Sequence, residues 1–517
     1  MSWRPPVREQ LFVLQDVIGL EAVKALPGSE ELSLELIEQV LEEAGRFCAD
    51  VLAPLNREGD RTGCKRLDDG SVETPPGFKE AYRRLAEGGW TGLAAEPEWG
   101  GQGMPAVISL AFSEMSSAAN MAFSMYPGLT HGAYSAIQAG GSEEQKRLYL
   151  PKLASGRWCG TMNLTEPQCG TDLSLLETRA APAGDGSFRI TGEKIWISGG
   201  EHDLAENIVH LVLARIEGAP AGTRGISLFI VPKFLPGPDG APGARNALSC
   251  TGLEEKMGIH ANATCFMSYD AATGWLVGEE NRGLSLMFVM MNEARLGVGL
   301  QGLAQAEAAR QAAVQFAAER LQGRSLTGPK NPEGPADPIL VHPDVRRLLL
   351  DAQAIVEGGR AFLMWTALQG DFARRHPDPA ARQAAEDFAG LMTPVAKAFM
   401  TDRAFQVCSD ALQIHGGAGF TEHFPVSQYL RDCRISLIYE GTNAIQALDL
   451  VGRKLAANGG RAVMAFFSEI DAFVAAHPAA DSTCGEAREI LSGLTEAKAA
   501  LQEASLWLMK NGPADPD

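Results

Sequence analysis

Arg434-Ile-Ser-Leu-Ile-Tyr-Glu-Gly-Thr-Asn-Ala-Ile-Gln446 sets a single carboxylate, Glu440, between an apolar run (Ile435, Leu437, Ile438, Tyr439) and a Gly-Thr pair. An apolar flank disfavours the ionised form, so the pKa of Glu440 is expected to rise toward neutral pH. That suits a general base, which works best with a pKa near the working pH. The same stretch also fits an ordinary loop-to-helix junction, with Thr442 or Asn443 as N-cap of the helix that follows. Structural junctions perturb carboxylates too, so the residues by themselves favour the plainer reading.

The chain around this stretch has 517 residues, enough for roughly two to four domains and a substantial core. Its net charge is −19 and its pI about 5.0. That balance argues against a nucleic-acid partner, which needs clustered Lys and Arg. It still leaves room for a local basic patch that holds an anionic group. Nine cysteines are scattered, without a Cys-x-x-Cys pair or a short Cys/His cluster. This points to reduced thiols in a cytoplasmic chain, and away from a disulfide scaffold or a metal site. The start, Met-Ser-Trp-Arg-Pro-Pro, has no apolar signal core, and no run approaches the ~18 apolar residues of a membrane span. There is no Walker motif, no His-Glu-x-x-His and no Gly-x-Gly-x-x-Gly after a strand.

Upstream, residues 33–53 repeat apolar side chains at helical spacing, with Ser33 as N-cap and Pro54 as the expected exit. Residues 78–87 give a second helix, ended by Gly88-Gly89, and residues 98–105 read as a Gly/Pro loop. Helical patterns resume over 107–122 and 133–154, so the first 155 residues read as all-helical. From Gly160 the character changes. Residues 188–198, 208–216, 225–231 and 265–269 are short β-branched or aromatic runs, which predict an antiparallel β-domain. Residues 233–249 read as a surface loop. Helices return over 283–320, 344–369, 380–415 and 442–457, and two more are expected over 462–476 and 486–510.

Three further strings carry candidate chemistry. Leu164-Thr-Glu-Pro-Gln-Cys-Gly-Thr-Asp172 is a loop whose amides can turn toward an anion or a ring carbonyl, or simply a crossing between domains. In Gly192-Glu-Lys-Ile-Trp-Ile-Ser198, strand alternation points Trp196 and Ser198 to one face, where they could line a flat ring; plain core is the alternative. Gln413-Ile-His-Gly-Gly-Ala-Gly-Phe420 ends a helix at two glycines, which allow close approach of a ligand or merely cap the helix.

These four strings, in this order, resemble the signatures of acyl-CoA dehydrogenases over roughly residues 30 to 455. The resemblance implies an α+β chain with that family's fold. It would have an N-terminal helical domain (1–158), a middle β-barrel (159–282), a C-terminal four-helix bundle (283–457) and extra C-terminal helices (458–517). It implies FAD as cofactor and Glu440 as catalytic base. Met162, Leu164, Thr165, Gly170, Thr171, Trp196, Ser198, Thr442 and Ala444 would contact the cofactor. Arg320, Gln413, Gly416 and Gly417 would reach the adenosine-diphosphate half of FAD on a neighbouring subunit. Asn292, Arg295, Tyr439 and Gly441 would meet substrate.

The implied partners are an acyl-CoA, an electron-transfer flavoprotein and further copies of the chain, as a dimer or tetramer, with neither nucleic acid nor membrane. Tyr126-Pro-Gly-Leu-Thr-His-Gly-Ala-Tyr134 and Glu255-Lys-Met-Gly-Ile-His-Ala-Asn-Ala-Thr264 resemble a longer branch of the family. That branch acts on 3-(methylthio)propanoyl-CoA in dimethylsulfoniopropionate breakdown. A straight-chain fatty acyl-CoA is the close alternative. An acyl-CoA oxidase and a flavin-bearing DNA-binding relative are the others. The last would need a basic tail, whereas this one carries Glu469, Asp471, Asp481, Glu486, Glu489, Glu496 and Glu503.

Overall fold

The computed structural model describes residues 3–477 and 485–512; Asp481 and the side chain of Glu486 lie outside what it describes. Two short helices, α1 (Val7–Phe12) and α2 (Leu20–Lys24), precede α3 (Leu34–Phe47). Ser33 caps α3, its hydroxyl accepting from Leu36 N at 3.1 Å. Pro54 does not end this helix. The chain makes one π turn, Cys48–Leu52, and continues as α4 (Ala53–Thr62). Pro54 sits in the first turn of α4, where a missing N–H costs little. A two-stranded hairpin, β1 (Lys65–Arg66) with β2 (Val72–Glu73), interrupts the otherwise helical start. Then follow α5 (Phe78–Glu87), α6 (Ala106–Ala119), α7 (Met121–Gly140) and α8 (Glu143–Ala154).

Residues 123–132, which the sequence pattern leaves outside any helix, are helical despite Pro127 and Gly128. Asn120 caps α7 by accepting from Phe123 N at 3.0 Å. Burial of Phe123, Tyr126 and Thr130 outweighs the local propensity.

The β region is a seven-stranded sheet of β3 (Trp158–Asn163), β4 (Arg179–Pro182), β5 (Phe188–Ser198), β6 (Asn207–Ile216), β7 (Ile226–Pro232), β10 (Leu248–Leu253) and β11 (Thr264–Val277). It is mixed, not purely antiparallel: β3 and β4 both pair parallel to β6. β7 bonds to both β6 and β11, which closes the ring β11–β5–β4–β6–β7 into a barrel. The expected loop 233–249 contains a hairpin of its own, β8 (Phe234–Pro236) with β9 (Pro242–Arg245). Almost every residue of β6 and β7 is buried. Val209, Leu211 and Leu213 pack with Ile137 and Leu153 of the helices, while Val212 and Ala214 pack with Ile190 and Cys265 across the barrel. A strand covered on both faces loses polar alternation, which is why β6 reads as a continuous apolar run.

The C-terminal half is built on α9 (Gly283–Glu319), α10 (Pro343–Arg375) and α11 (Pro379–His415). Gly299 and Gly302 let α9 approach α11 closely: an added Cβ would stand 3.0 Å from Ala396 O and 3.3 Å from Met400 O. A fourth helix, α12 (Val426–Arg434), was not legible from its sequence; only Val426, Tyr429 and Cys433 carry its buried apolar face. After a 3-10 turn, Ile435–Leu437, comes the short α13 (Asn443–Asp449), then α14 (Arg461–Ala476) and α15 (Gly485–Asn511). No helix among the described residues is long and apolar enough to cross a membrane.

Candidate active site

The turn between α12 and α13 displays Glu440. Its φ of 56° is left-handed, a conformation a glutamate adopts only when its surroundings impose it. Those surroundings are hydrogen bonds. The Glu440 carbonyl accepts from Arg295 Nε at 3.4 Å and from Gln446 Nε2 at 3.2 Å. Gln446 also donates to Gly441 O at 3.0 Å. Thr442, rather than Asn443, is the N-cap of α13 and accepts from Ile445 N. Asn443 ties the turn to α11: its Oδ1 accepts from Lys397 Nζ at 2.8 Å, and its Nδ2 donates to Thr401 Oγ1 and Asp402 Oδ1. Tyr439 hydrogen-bonds Gln301 of α9 through its hydroxyl.

The Glu440 carboxyl itself has no hydrogen-bond partner among the described residues and faces a cavity of about 600 Å³. Burial pushes its pKa up to about 7, against the opposing pull of the Arg295 and Lys397 charges. Lys397 is fully buried, and desolvation brings its ammonium down to about 8. A carboxyl poised near neutrality in a cleft is what general-base chemistry needs.

The cavity lies between α6, α7, α9 and α10. Of the residues singled out from sequence, Ser198, Asn292, Tyr439 and Glu440 line it. Arg295 does not. It is buried, bonded to the Glu440 carbonyl and paired with Asp449 at 3.1 Å, so it braces the turn that carries Glu440. Gly441 and Thr442 lie in the turn, and Ala444 is exposed one residue into α13.

The loop after β3 is held by a pair absent from the expected site residues. Glu166 accepts from Lys194 Nζ at 2.7 Å, from the backbone N–H groups of Glu177 and Thr178, and from Gln168. Both charged side chains are buried. Lys194 also donates to Leu164 O, and Ile195 N donates to Thr165 O. Met162, Leu164 and Thr165 are half-buried, and Gly170 and Thr171 are exposed. Trp196 is not core: 58 % of it is exposed, at a φ of 58°, with Nε1–H donating to Glu254 at 3.0 Å. β5 bulges here: between the pairs Lys194–Met267 and Ile197–Cys265, two of its residues, Ile195 and Trp196, stand opposite the single Phe266. A flat apolar face is thereby left uncovered two residues from Ser198, which enters the cavity. These residues fit the planar ring of a flavin.

Arg320, Gln413, Gly416 and Gly417 stand together elsewhere. All four are exposed, and Phe316, one turn before Arg320, stacks on His415 at 4.3 Å. Arg320 caps the C-terminal end of α9, 25 positions beyond Arg295, which is about 37 Å along the axis at 1.5 Å per residue. Lys397, Asn443, Gln301, Glu166 and Lys194 are the residues that reading the sequence missed. Glu166, Lys194 and Asn443 lay inside quoted strings, Asn443 there only as a possible helix cap. Nothing local marks Lys397 or Gln301.

Three family descriptions match the chain: the acyl-CoA dehydrogenase N-terminal domain over residues 35–157, middle domain over 161–272 and C-terminal domain over 281–455. The chain belongs to the acyl-CoA dehydrogenase family, FAD-dependent oxidoreductases acting on acyl-CoA thioesters, and has that family's fold. It is 46% identical over 517 residues to the 3-methylmercaptopropionyl-CoA dehydrogenase of Ruegeria pomeroyi, covering 100% of this chain and 87% of that one. It is 39% identical to a butyryl-CoA dehydrogenase of Syntrophomonas wolfei over 85% of this chain and 73% of that one. Among solved structures, butyryl-CoA dehydrogenase from Megasphaera elsdenii superposes with a TM-score of 0.66 at 26% identity, over 82% of this chain and 98% of that one.

Proposed function

We propose that Glu440 is the base that removes the α-proton of the acyl thioester. The observation that carries this is a carboxyl carried on a left-handed backbone, without a hydrogen-bond partner among the described residues, facing the cavity and poised near neutral pH. FAD, held against Trp196 and Ser198, would supply a hydride acceptor for the β-hydrogen, and the electron pair released at the α-carbon by Glu440 would form the double bond. The left-handed turn serves the same step. The Glu440 N–H meets no acceptor among the described residues, so it is available to donate to the thioester oxygen as charge develops there. One such donor contributes roughly 3–4 kcal/mol. Arg295 and Gln446 hold the Glu440 carbonyl, which fixes where that N–H points.

The substrate we propose is 3-(methylthio)propanoyl-CoA, supported by full-length similarity to the Ruegeria pomeroyi enzyme. A straight-chain acyl-CoA is the second reading, supported by the butyryl-CoA dehydrogenase relative. Anaerobic bleaching of the bound flavin decides between them. The thioether substrate should reduce it faster than butanoyl- or octanoyl-CoA, by the 10- to 200-fold or less that about one methylene of pocket contact supplies. Faster reduction by octanoyl-CoA would overturn the assignment. Arg320 and loop 413–417 stand at the far end of α9, about 37 Å along the helix axis from Arg295, which braces the Glu440 turn. This supports a homo-oligomer, dimer or tetramer, in which they reach the adenosine-diphosphate half of a neighbour's FAD. An electron-transfer flavoprotein is the acceptor we propose. The eight unpaired cysteines among the described residues support a reducing, cytoplasmic setting.

A further inference from the structure

Helices α7 and α9 run antiparallel, and three contacts fix their register. A Cβ added at Gly140 would strike Leu286, one at Gly132 would strike Met290, and His131 Nε2 stands 3.7 Å from Glu293 Oε2. One turn further, the same register brings Gly128 level with the turn that carries Ala294 and Gly297. There the seam opens. A Cβ on Gly128 or on Gly297 would meet nothing within 4 Å, and both residues line the cavity that holds Glu440.

Neighbouring glycines have a packing reason to be glycine. Gly132 on α7, and Gly299 and Gly302 on α9, would each press a Cβ against a neighbour. Gly128 and Gly297 would not, and neither has a left-handed backbone. Glycine inside a helix costs about 1 kcal/mol relative to alanine. Gly128 moreover follows Pro127, itself unfavourable within a helix. Packing does not offset these costs. What the two glycines provide is free width beside the reacting carboxyl. Gln301, one turn beyond Gly297 on the same face of α9, bonds Tyr439, which sets this opening next to Glu440.

We propose that Gly128 and Gly297 form the aperture through which the acyl chain passes beyond its β-carbon, and that these two positions determine which chains are accepted. The inference rests on Glu440 as the base, because that carboxyl marks the reacting end of the chain. Walls made of backbone admit an unbranched alkyl chain or a thioether, and a methyl group on either wall takes up that width.

The test is kcat/KM of the holoenzyme for propanoyl-, hexanoyl- and octanoyl-CoA in Gly128→Ala, Gly297→Ala and Gly297→Val. Gly358→Ala, an exposed position on α10 with nothing near its Cβ, is the control for helix propensity. Propanoyl-CoA ends at the β-carbon and should keep its rate within about threefold. The octanoyl-to-propanoyl ratio should fall about tenfold or more, further for valine than alanine, the scale of methylene discrimination. The alanine variants should unfold at no lower temperature than wild type, since alanine is the better helix former. An unchanged ratio, or an equal loss for all three substrates, overturns the aperture. Turnover surviving in Glu440→Gln, with both glycines intact, would instead sink the base assignment, whatever the ratio does.

Discussion

Glu166 and Glu440 are both carboxylates set near a buried lysine, and they end in opposite states. Lys194 touches Glu166 at 2.7 Å, and two backbone N–H groups and Gln168 fill the remaining lone pairs. Burial works against that carboxylate, but the lysine and the N–H donors hold it below its ordinary value. Lys397 is equally buried, yet its ammonium bonds Asn443 and leaves the Glu440 carboxyl without a donor. Burial then dominates, and Glu440 rises to about 7. The same pair of residue types serves as a clamp when the donors converge on the acid. It is left free for the proposed role of base when an amide intercepts the lysine.

The difference is broken most directly at Glu440. Glu440→Gln keeps size and backbone but removes the base, and should lower the rate of flavin reduction by about 10²–10⁴-fold in anaerobic stopped-flow. Substrate should still bind and shift the flavin spectrum. The clamp should respond in stability instead. Lys194→Met strands a buried carboxylate and should cost roughly 3–5 kcal/mol in denaturant unfolding. The contribution of Glu166 is complete above its ordinary value of 4.5 and is lost as pH falls through its lower folded value.

A subtler effect concerns pH. Only ionised Glu440 accepts a proton, so kcat/KM should rise with pH through an apparent pKa near 7. Lys397→Met removes a charge that favours the carboxylate and should move that limb to higher pH. Because folding raises this pKa, the Glu440 carboxyl favours the folded state below its ordinary 4.5 and loses that advantage as pH rises through about 7. Glu440→Gln should therefore be at least as stable as wild type at pH 8 by thermal unfolding. The smallest change is Thr442→Ala, which removes the cap of α13 and should cost about 1 kcal/mol.

Local periodicity carried much of the architecture. Residues 283–320 and 380–415 were legible as helices because their small and apolar residues recur at helical spacing, and α9 and α11 occupy nearly those spans. Ser33 and the Gly88-Gly89 stop were legible because capping is chemistry within one turn. Glu440 stood out for its flank, and the order of four strings carried the family. Other features had no local mark. Pro127 and Gly128 argue against a helix that burial of Phe123 and Tyr126 enforces. Nothing local to Arg295 marks its bonds to Asp449 and to the Glu440 carbonyl. Lys397 lies 43 positions from Glu440, and Gln301 lies 138 from Tyr439. Periodicity reports which face of a segment is apolar, but not which faces meet. The pKa of Glu440, the pairing of Lys397 with Asn443 and the opening between Gly128 and Gly297 depend on distances across packed helices. The folded chain alone sets those distances.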